Sequence, residues 1–212
     1  MRAGIRTAFL LGVVTIAMVL HGGDPAFGQG GAGAIDYQIT DIRIVPIGPV
    51  PAPDVEAVRG LVGREFLAIT VTVGDPIALP VAAFDATRQQ YDAGTVLLSL
   101  DLLAPTRAVR VVGVADVDLF SPGLNFVFSY AEPKGSAVVI SLIRLRDPEG
   151  RLSQERYRKV VLRALGFTFG FESNRDPACV MHYSNSLSDL DRKGTAWCGD
   201  EPQVLRGIQG QQ

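Results

Sequence analysis

The stretch LRALGFTFGFESNRDPACVMHYSNSL, Leu162 to Leu187, decides how the chain is read. Its opening residues complete an amphipathic helix. Tyr157, Val160, Val161, Ala164, Leu165 and Thr168 recur at three- and four-residue steps, which is the spacing of a core-facing stripe. Ser153 stands where an N-cap belongs, just after the turn residues Asp147-Pro148-Glu149-Gly150. Arg156, Lys159 and Arg163 form a basic stripe on another side, and Glu155 precedes Lys159 by four residues in the favourable order. Gly170 is the obvious terminator. Beyond it the chain reads as polar and turn-rich to its end, through Cys179-Val180-Met181.

Working back from that helix, the periodicity predicts a mixed sheet with helices. Ile42 to Pro46 alternates as a strand, Pro46 to Pro53 is a proline-rich turn, Val55 to Phe66 has helical spacing, and Leu67 to Val73 is a second strand. Val81 to Tyr91 reads as a loop entering a helix, and Thr95 to Leu103 fits helix and strand alike. Val109 to Val114 is a buried strand. Phe126 to Tyr130 and Ala137 to Leu142 are two more strands, with the turn Glu132-Pro133-Lys134-Gly135 between them. No internal repeat is present, and the expected class is α/β.

The N-terminus carries Arg2 and Arg6, an apolar run from Thr7 to Leu20, and small residues flanking Phe27 in Ala26-Phe27-Gly28. That is the pattern of a cleavable secretory signal over residues 1–28. The run of about 14 residues is short of the roughly 20 a spanning helix needs, so no stable membrane span is expected and the mature chain is expected to be exported, periplasmic or extracellular. Residues 29–40 contain Gly30-Gly31-Ala32-Gly33-Ala34 and read as a flexible linker. A formal net charge of -2, without a basic stripe of the kind that tracks a phosphate backbone, argues against nucleic acid as a partner.

A catalytic zinc on a helix of this kind needs two histidines four apart, a glutamate beside the first, a turning glycine and a third ligand just beyond. Anchored on Gly170, those positions fall on Arg163, Ala164, Phe167 and Ser173. A guanidinium does not shed its proton, a phenyl ring has no lone pair, alanine has no base, and a serine hydroxyl is a poor zinc ligand beside imidazole. Only His21 and His182 exist in the chain, and His21 lies in the signal segment.

Around this empty pattern the residues are nevertheless specific. Gly170, Cys179-Val180-Met181, Ser184-Asn185-Ser186-Leu187, Asp191-Arg192-Lys193 and Cys198 follow one another at the intervals of the archaemetzincin signature. Upstream, Pro80 to Asp85, Arg88 to Tyr91, Asp116 to Phe120, Pro122 to Phe128 and Ser141 to Leu145 extend the match to most of residues 40–198. The chain thus resembles an archaemetzincin, a metzincin zinc peptidase, as a degenerate member. The resemblance implies a metzincin-like mixed sheet with packed helices, a long active-site-type helix, an N-terminal subdomain over 41–170 and a small C-terminal subdomain over 171–212 with Met181 as the Met-turn residue.

The resemblance also implies a second, structural zinc held by four cysteines. Here the first falls on Asn174 and the last on Glu201, so Cys179 and Cys198 remain and are expected as a disulfide, with free thiols or a metal as the alternatives. By the same resemblance Asn125 to Tyr130 is the strand above the cleft, and Asn125, Phe126 and His182 are candidate cleft residues. His182 alone reads as a hydrogen-bonded loop histidine. Phe169 reads as core, Phe167 as a cleft floor, and Arg163 as a charge paired with Glu172 or open to a carboxylate of a partner. Arg88, Gln90, Tyr91, Asp116 and Asp118 read as structural. The expected function is a pseudopeptidase without catalytic residues or cofactor that binds a peptide or protein segment in the former cleft. The alternative is a zinc-dependent metallopeptidase with replacement ligands such as His182, Glu172 and Asp176.

Overall fold

The structure, a computed structural model, describes residues 37–210. The signal segment and most of the 29–40 linker lie outside the described residues. The chain begins with strand β1 (Asp41–Ile47), helix α1 (Ala52–Glu65) and strand β2 (Thr70–Val73). Two short strands, β3 (Phe84–Asp85) and β4 (Gln90–Asp92), precede helix α2 (Ala93–Asp101) and the long strand β5 (Val109–Ala115). Then come β6 (Leu119–Phe120), β7 (Ser129–Ala131), β8 (Ala137–Ser141) and helices α3 (Gln154–Thr168), α4 (Leu187–Arg192) and α5 (Glu201–Ile208). Five strands form the main sheet in the order β2-β1-β5-β8-β7, and β3, β4 and β6 form a second, small one.

In the main sheet β1, β2, β5 and β8 run parallel, and β7 closes one edge antiparallel to β8. A parallel sheet must be covered on both faces, and its central strands accordingly read as unbroken apolar runs. The two-residue repeat divides them. Ile42, Ile44, Val112, Val114, Val138 and Ile140 face the larger core under α1 and α3. Val45, Ile47, Val111, Ala115, Ala137 and Val139 face a smaller core under α2. Residues beyond Gly170 join the larger core: Cys179, Val180, Met181, Leu190, Leu205 and Ile208 pack with the buried face of α3. Among the described residues no helix is long and apolar enough to cross a membrane.

Several sequence expectations need correction. Val81 to Tyr91 does not lead directly into a helix: a short 3-10 turn (Val81–Ala83) passes into the β3–β4 hairpin, and α2 starts at Ala93, where the Asp92 carboxylate accepts the Thr95 backbone N–H at 2.8 Å. The ambiguous Thr95–Leu103 segment is thereby mostly helix. In the segment Phe126 to Tyr130 only Ser129 and Tyr130 enter β7, although Val127 donates its N–H to the Leu119 carbonyl at 2.8 Å. Pro46 lies inside β1 rather than in the turn. Ser153 occupies the N-cap position of α3 without a side-chain capping bond.

The tail after Gly170 is not all turn. Ser186 caps α4, accepting from Asp189 N–H at 3.1 Å while its hydroxyl donates to the Asp189 carboxylate at 2.8 Å, and α5 has a proline in its first turn. The basic stripe of α3 packs in part against α4. Lys159 is buried, donating to the Leu190 and Asp191 carbonyls at 3.0 and 2.9 Å and pairing with Glu155 at 2.6 Å, while Arg156 pairs with Asp191 at 2.7 Å. The stripe fastens α4 to α3.

Candidate functional site

Helix α3 ends in a Schellman turn. Phe171 N–H reaches the Gly166 carbonyl at 2.9 Å, Gly170 N–H reaches Phe167 at 3.0 Å, and Gly170 has φ +87°, which a residue without Cβ adopts freely. This turn reverses the chain so that Ser173 returns to the flank of the helix. There Arg163 Nη2 donates to Ser173 Oγ at 3.1 Å. The Arg163 guanidinium carbon lies 4.5 Å from the centroid of the Phe167 ring and 5.5 Å from that of Tyr183. Three of the four positions singled out by spacing therefore meet one another, and the fourth, Ala164, is buried in the core beneath.

Below that level Met181 is fully buried against α3. A Cβ on Gly166 would lie 2.5 Å from the Met181 sulfur, so a side chain at residue 166 is incompatible with this close approach. The segment on the other side of the site, residues 124–128, is fixed from behind. Arg88 donates to the Leu124 and Asn125 carbonyls at 2.8 and 2.9 Å, and Gln90 donates to the Asn125 carbonyl at 2.9 Å and to Asp118 at 2.8 Å. Arg144 pairs with Asp118 at 2.5 Å and covers the Phe126 ring at 4.1 Å. Burial pushes the Asp118 carboxyl up, but the bonds from Arg144 and Gln90 outweigh it and hold the group below the usual carboxylate range. Asp116 and Asp54 share Arg146, each at 2.7 Å. These polar residues are scaffold, as their sequence pattern indicates.

Between the fixed segment and the loop after Met181 lies an open cleft of about 60 Å³, lined by Leu124, Phe126, Phe128, Arg163, Tyr183 and Ser184 together with Val127, Ser129 and Asn185. Of the candidate cleft residues, Phe126 lines it. Asn125 turns its carbonyl to Arg88 and Gln90, and the His182 ring donates from Nδ1 to the Asn174 carbonyl at 3.1 Å, as a loop histidine does. Phe169 is core, stacked edge-on with Phe66 and Phe171. Phe167 is not a floor of the cleft but the platform under Arg163.

Burial pushes the Arg163 guanidinium down to about 10, with Tyr183 acting slightly the other way. Nearby, buried Lys193 donates to the His182 carbonyl at 3.1 Å. Burial, then the charges of Arg163 and Lys159, lower its ammonium to about 7. Sequence reasoning singled out neither Lys193 nor Ser184 for a role. Their only sequence signal was a place in matched blocks, and burial of Lys193 depends on α4, which the periodicity did not show.

Cys179 and Cys198 form a disulfide. Glu201 is buried beside them, accepts the Cys198 backbone N–H at 2.8 Å, and is pushed above the usual carboxylate range chiefly by burial. Among the described residues, Cys179, Cys198 and Glu201 are the one group of three or more ligand-type side chains whose donor atoms converge. With both sulfurs in the disulfide, no thiolate is available to a metal. Glu172, Asp176 and His182 do not converge in this way. The four positions singled out by spacing do not fit zinc either, since Arg163, Ala164 and Phe167 offer it no lone pair.

Comparison with known proteins places these features in a family. Residues 82–206 match the profile of peptidase family M54. The archaemetzincin of Pyrococcus furiosus is 36% identical over 168 residues, covering 74% of this chain and 88% of that protein. That of Methanopyrus kandleri is 41% identical over 130 residues, covering 60% of this chain and 73% of its own length. The crystal structure of the Archaeoglobus fulgidus archaemetzincin complexed with malonate superposes with a TM-score of 0.69 at 29% identity, over 78% of this chain and 99% of that one. The Methanopyrus kandleri crystal structure does so with a TM-score of 0.69 at 34% identity, over 81% and 96%.

Proposed function

The chain belongs to peptidase family M54, the archaemetzincins, and from that premise we propose that it is a pseudopeptidase: an exported, non-catalytic member that holds a peptide or protein segment in the cleft beside α3. One observation carries this reading. At the positions where the family signature requires two imidazoles, a general base and a third ligand, this chain has Arg163, Phe167, Ala164 and Ser173. The arginine fills the space between its neighbours by stacking on Phe167 and bonding Ser173. A metal there would face a positive charge at close range, and among the described residues no aspartate or glutamate lines the cleft to act as general base.

The rest of the molecule supports retention of a binding surface. The cleft wall is held by hydrogen bonds from Arg88 and Gln90 and by Arg144 lying over the Phe126 ring. Apolar Phe126 and Phe128 line it. Export is supported by the N-terminal apolar run and by the disulfide, which is at home in an oxidising compartment.

The test is a peptide library incubated with the mature protein and read both for retention and for new termini by mass spectrometry. Retention without cleavage is expected, and Phe167→Asp should abolish it. Cleavage that a chelator suppresses would replace this reading with that of a zinc peptidase using non-standard ligands.

A further inference from the structure

Among the described residues, only three buried side-chain polar atoms have no hydrogen-bond partner: Arg110 Nε, Arg163 Nε and Ser184 Oγ. Two of the three belong to residues lining the same cleft. An unpaired buried donor is costly to a fold, and more so when charged, so two in the residues of one cleft point to something that supplies lone pairs. The charge distribution points the same way. Arg163 is the sole charged residue lining the cleft, and no aspartate or glutamate lines it. Arg163, and Lys193 whose charge it disfavours, have no acidic ion-pair partner among the described residues.

We propose that this cleft is a receptor for a carboxylate, whose oxygens accept from the Arg163 guanidinium beside Ser184 while its carbon stem rests on Leu124, Phe126 and Phe128. The proposal rests on the peptide-binding reading and names the chemistry that is recognised. A carboxylate fits better than phosphate for three reasons. The guanidinium edge matches its two coplanar oxygens. The opposite wall is apolar and suits a group that is charged at one end only. The cleft volume, about 60 Å³, corresponds to a few waters at roughly 10–15 Å³ each, enough for a carboxylate and a short stem. The carboxylate belongs either to a peptide C-terminus or to an aspartate or glutamate side chain.

The experiment is an NMR titration of the full mature protein that follows the Arg163 Nε–H resonance. Four probes are used: N-acetylleucine, N-acetylleucine amide, a C-terminally amidated peptide with one internal aspartate, and inorganic phosphate. N-acetylleucine should shift the Arg163 signal, and its amide should bind at least about tenfold more weakly, the value of one charge-assisted hydrogen bond. Ser184→Ala should weaken the acid by a few-fold to about tenfold, and Arg163→Met should remove binding. Binding of the aspartate peptide identifies a side-chain source, and its failure beside a binding N-acetylleucine identifies a chain terminus.

Equal binding of acid and amide overturns the proposal, as does phosphate outcompeting N-acetylleucine or undiminished affinity in both variants. The peptide-binding reading fails separately. Library peptides retained regardless of any carboxylate sink the carboxylate receptor and leave that reading standing. N-acetylleucine bound with no library peptide retained does the reverse.

Discussion

Replacement of Arg163 by methionine, a side chain of similar length without charge, separates a residue kept for binding from one kept for stability. Burial lowers the guanidinium from the ordinary arginine value to about 10, and at about 1.4 kcal/mol per unit this is a penalty of about 3 kcal/mol for keeping the charge in the folded protein at neutral pH. Against it stand the ring contact with Phe167, worth about 1 kcal/mol, and the bond to Ser173, about 1 kcal/mol net because water can take its place. The balance predicts that Arg163→Met stabilises the protein by about 1 kcal/mol. The midpoint of thermal unfolding should then rise by roughly 2–4 °C. Calorimetry or circular dichroism on mature wild type and variant at pH 7 measures it. A loss of 3 kcal/mol or more, the usual result of breaking a buried ion pair, would refute the reasoning, because Arg163 would then have a buried anionic partner in the folded chain.

Three other outcomes follow from the same geometry. Reduction of the Cys179–Cys198 disulfide, which spans 19 residues, should cost about 3 kcal/mol by chain entropy and lower the unfolding midpoint by roughly 6–12 °C, measured with and without reductant; an unchanged midpoint would mean that the bridge contributes nothing. The Lys193 ammonium is depressed to about 7, so below that pH both folded and unfolded chains carry the proton and the folded one bears the cost. As pH rises from about 7 toward the ordinary lysine value of about 10.4, wild type gains stability that Lys193→Met lacks. The variant should therefore be the more stable protein at pH 6, and its advantage should shrink by pH 9; an advantage independent of pH would exclude titration of Lys193. Finally, the combined change Arg163→His, Ala164→Glu, Phe167→His and Ser173→His should confer zinc binding, seen by mass spectrometry after dialysis, while any one of the four alone should not.

What could be read in the sequence followed from local rules. The α1 and α3 patterns, the buried strands β5 and β8, and the Gly170 turn each rest on periodicity or on a residue with one conformational use. Failures came where tertiary contacts override pattern. The pattern put Lys159 in a basic stripe, but its ammonium is buried and bonded to late carbonyls of α4. Helix α4 stayed hidden in a tail read as turn-rich, because its six residues are too few to show a helical stripe. That Arg163, Phe167 and Ser173 are poor metal ligands could be read directly from residue types. That these three close on one another, and that Ser184 lines the same cleft as Arg163, depends on the turn at Gly170 and the loop after Met181, which no local pattern encodes.

The most direct test of the central claim is the metal content of untagged mature protein, purified with zinc present and dialysed. The coordination chemistry of Arg163, Ala164, Phe167 and Ser173 predicts no stoichiometric zinc and no chelator-sensitive cleavage of peptides. One tightly held zinc per chain beside α3, lost to a chelator together with peptidase activity, would contradict it.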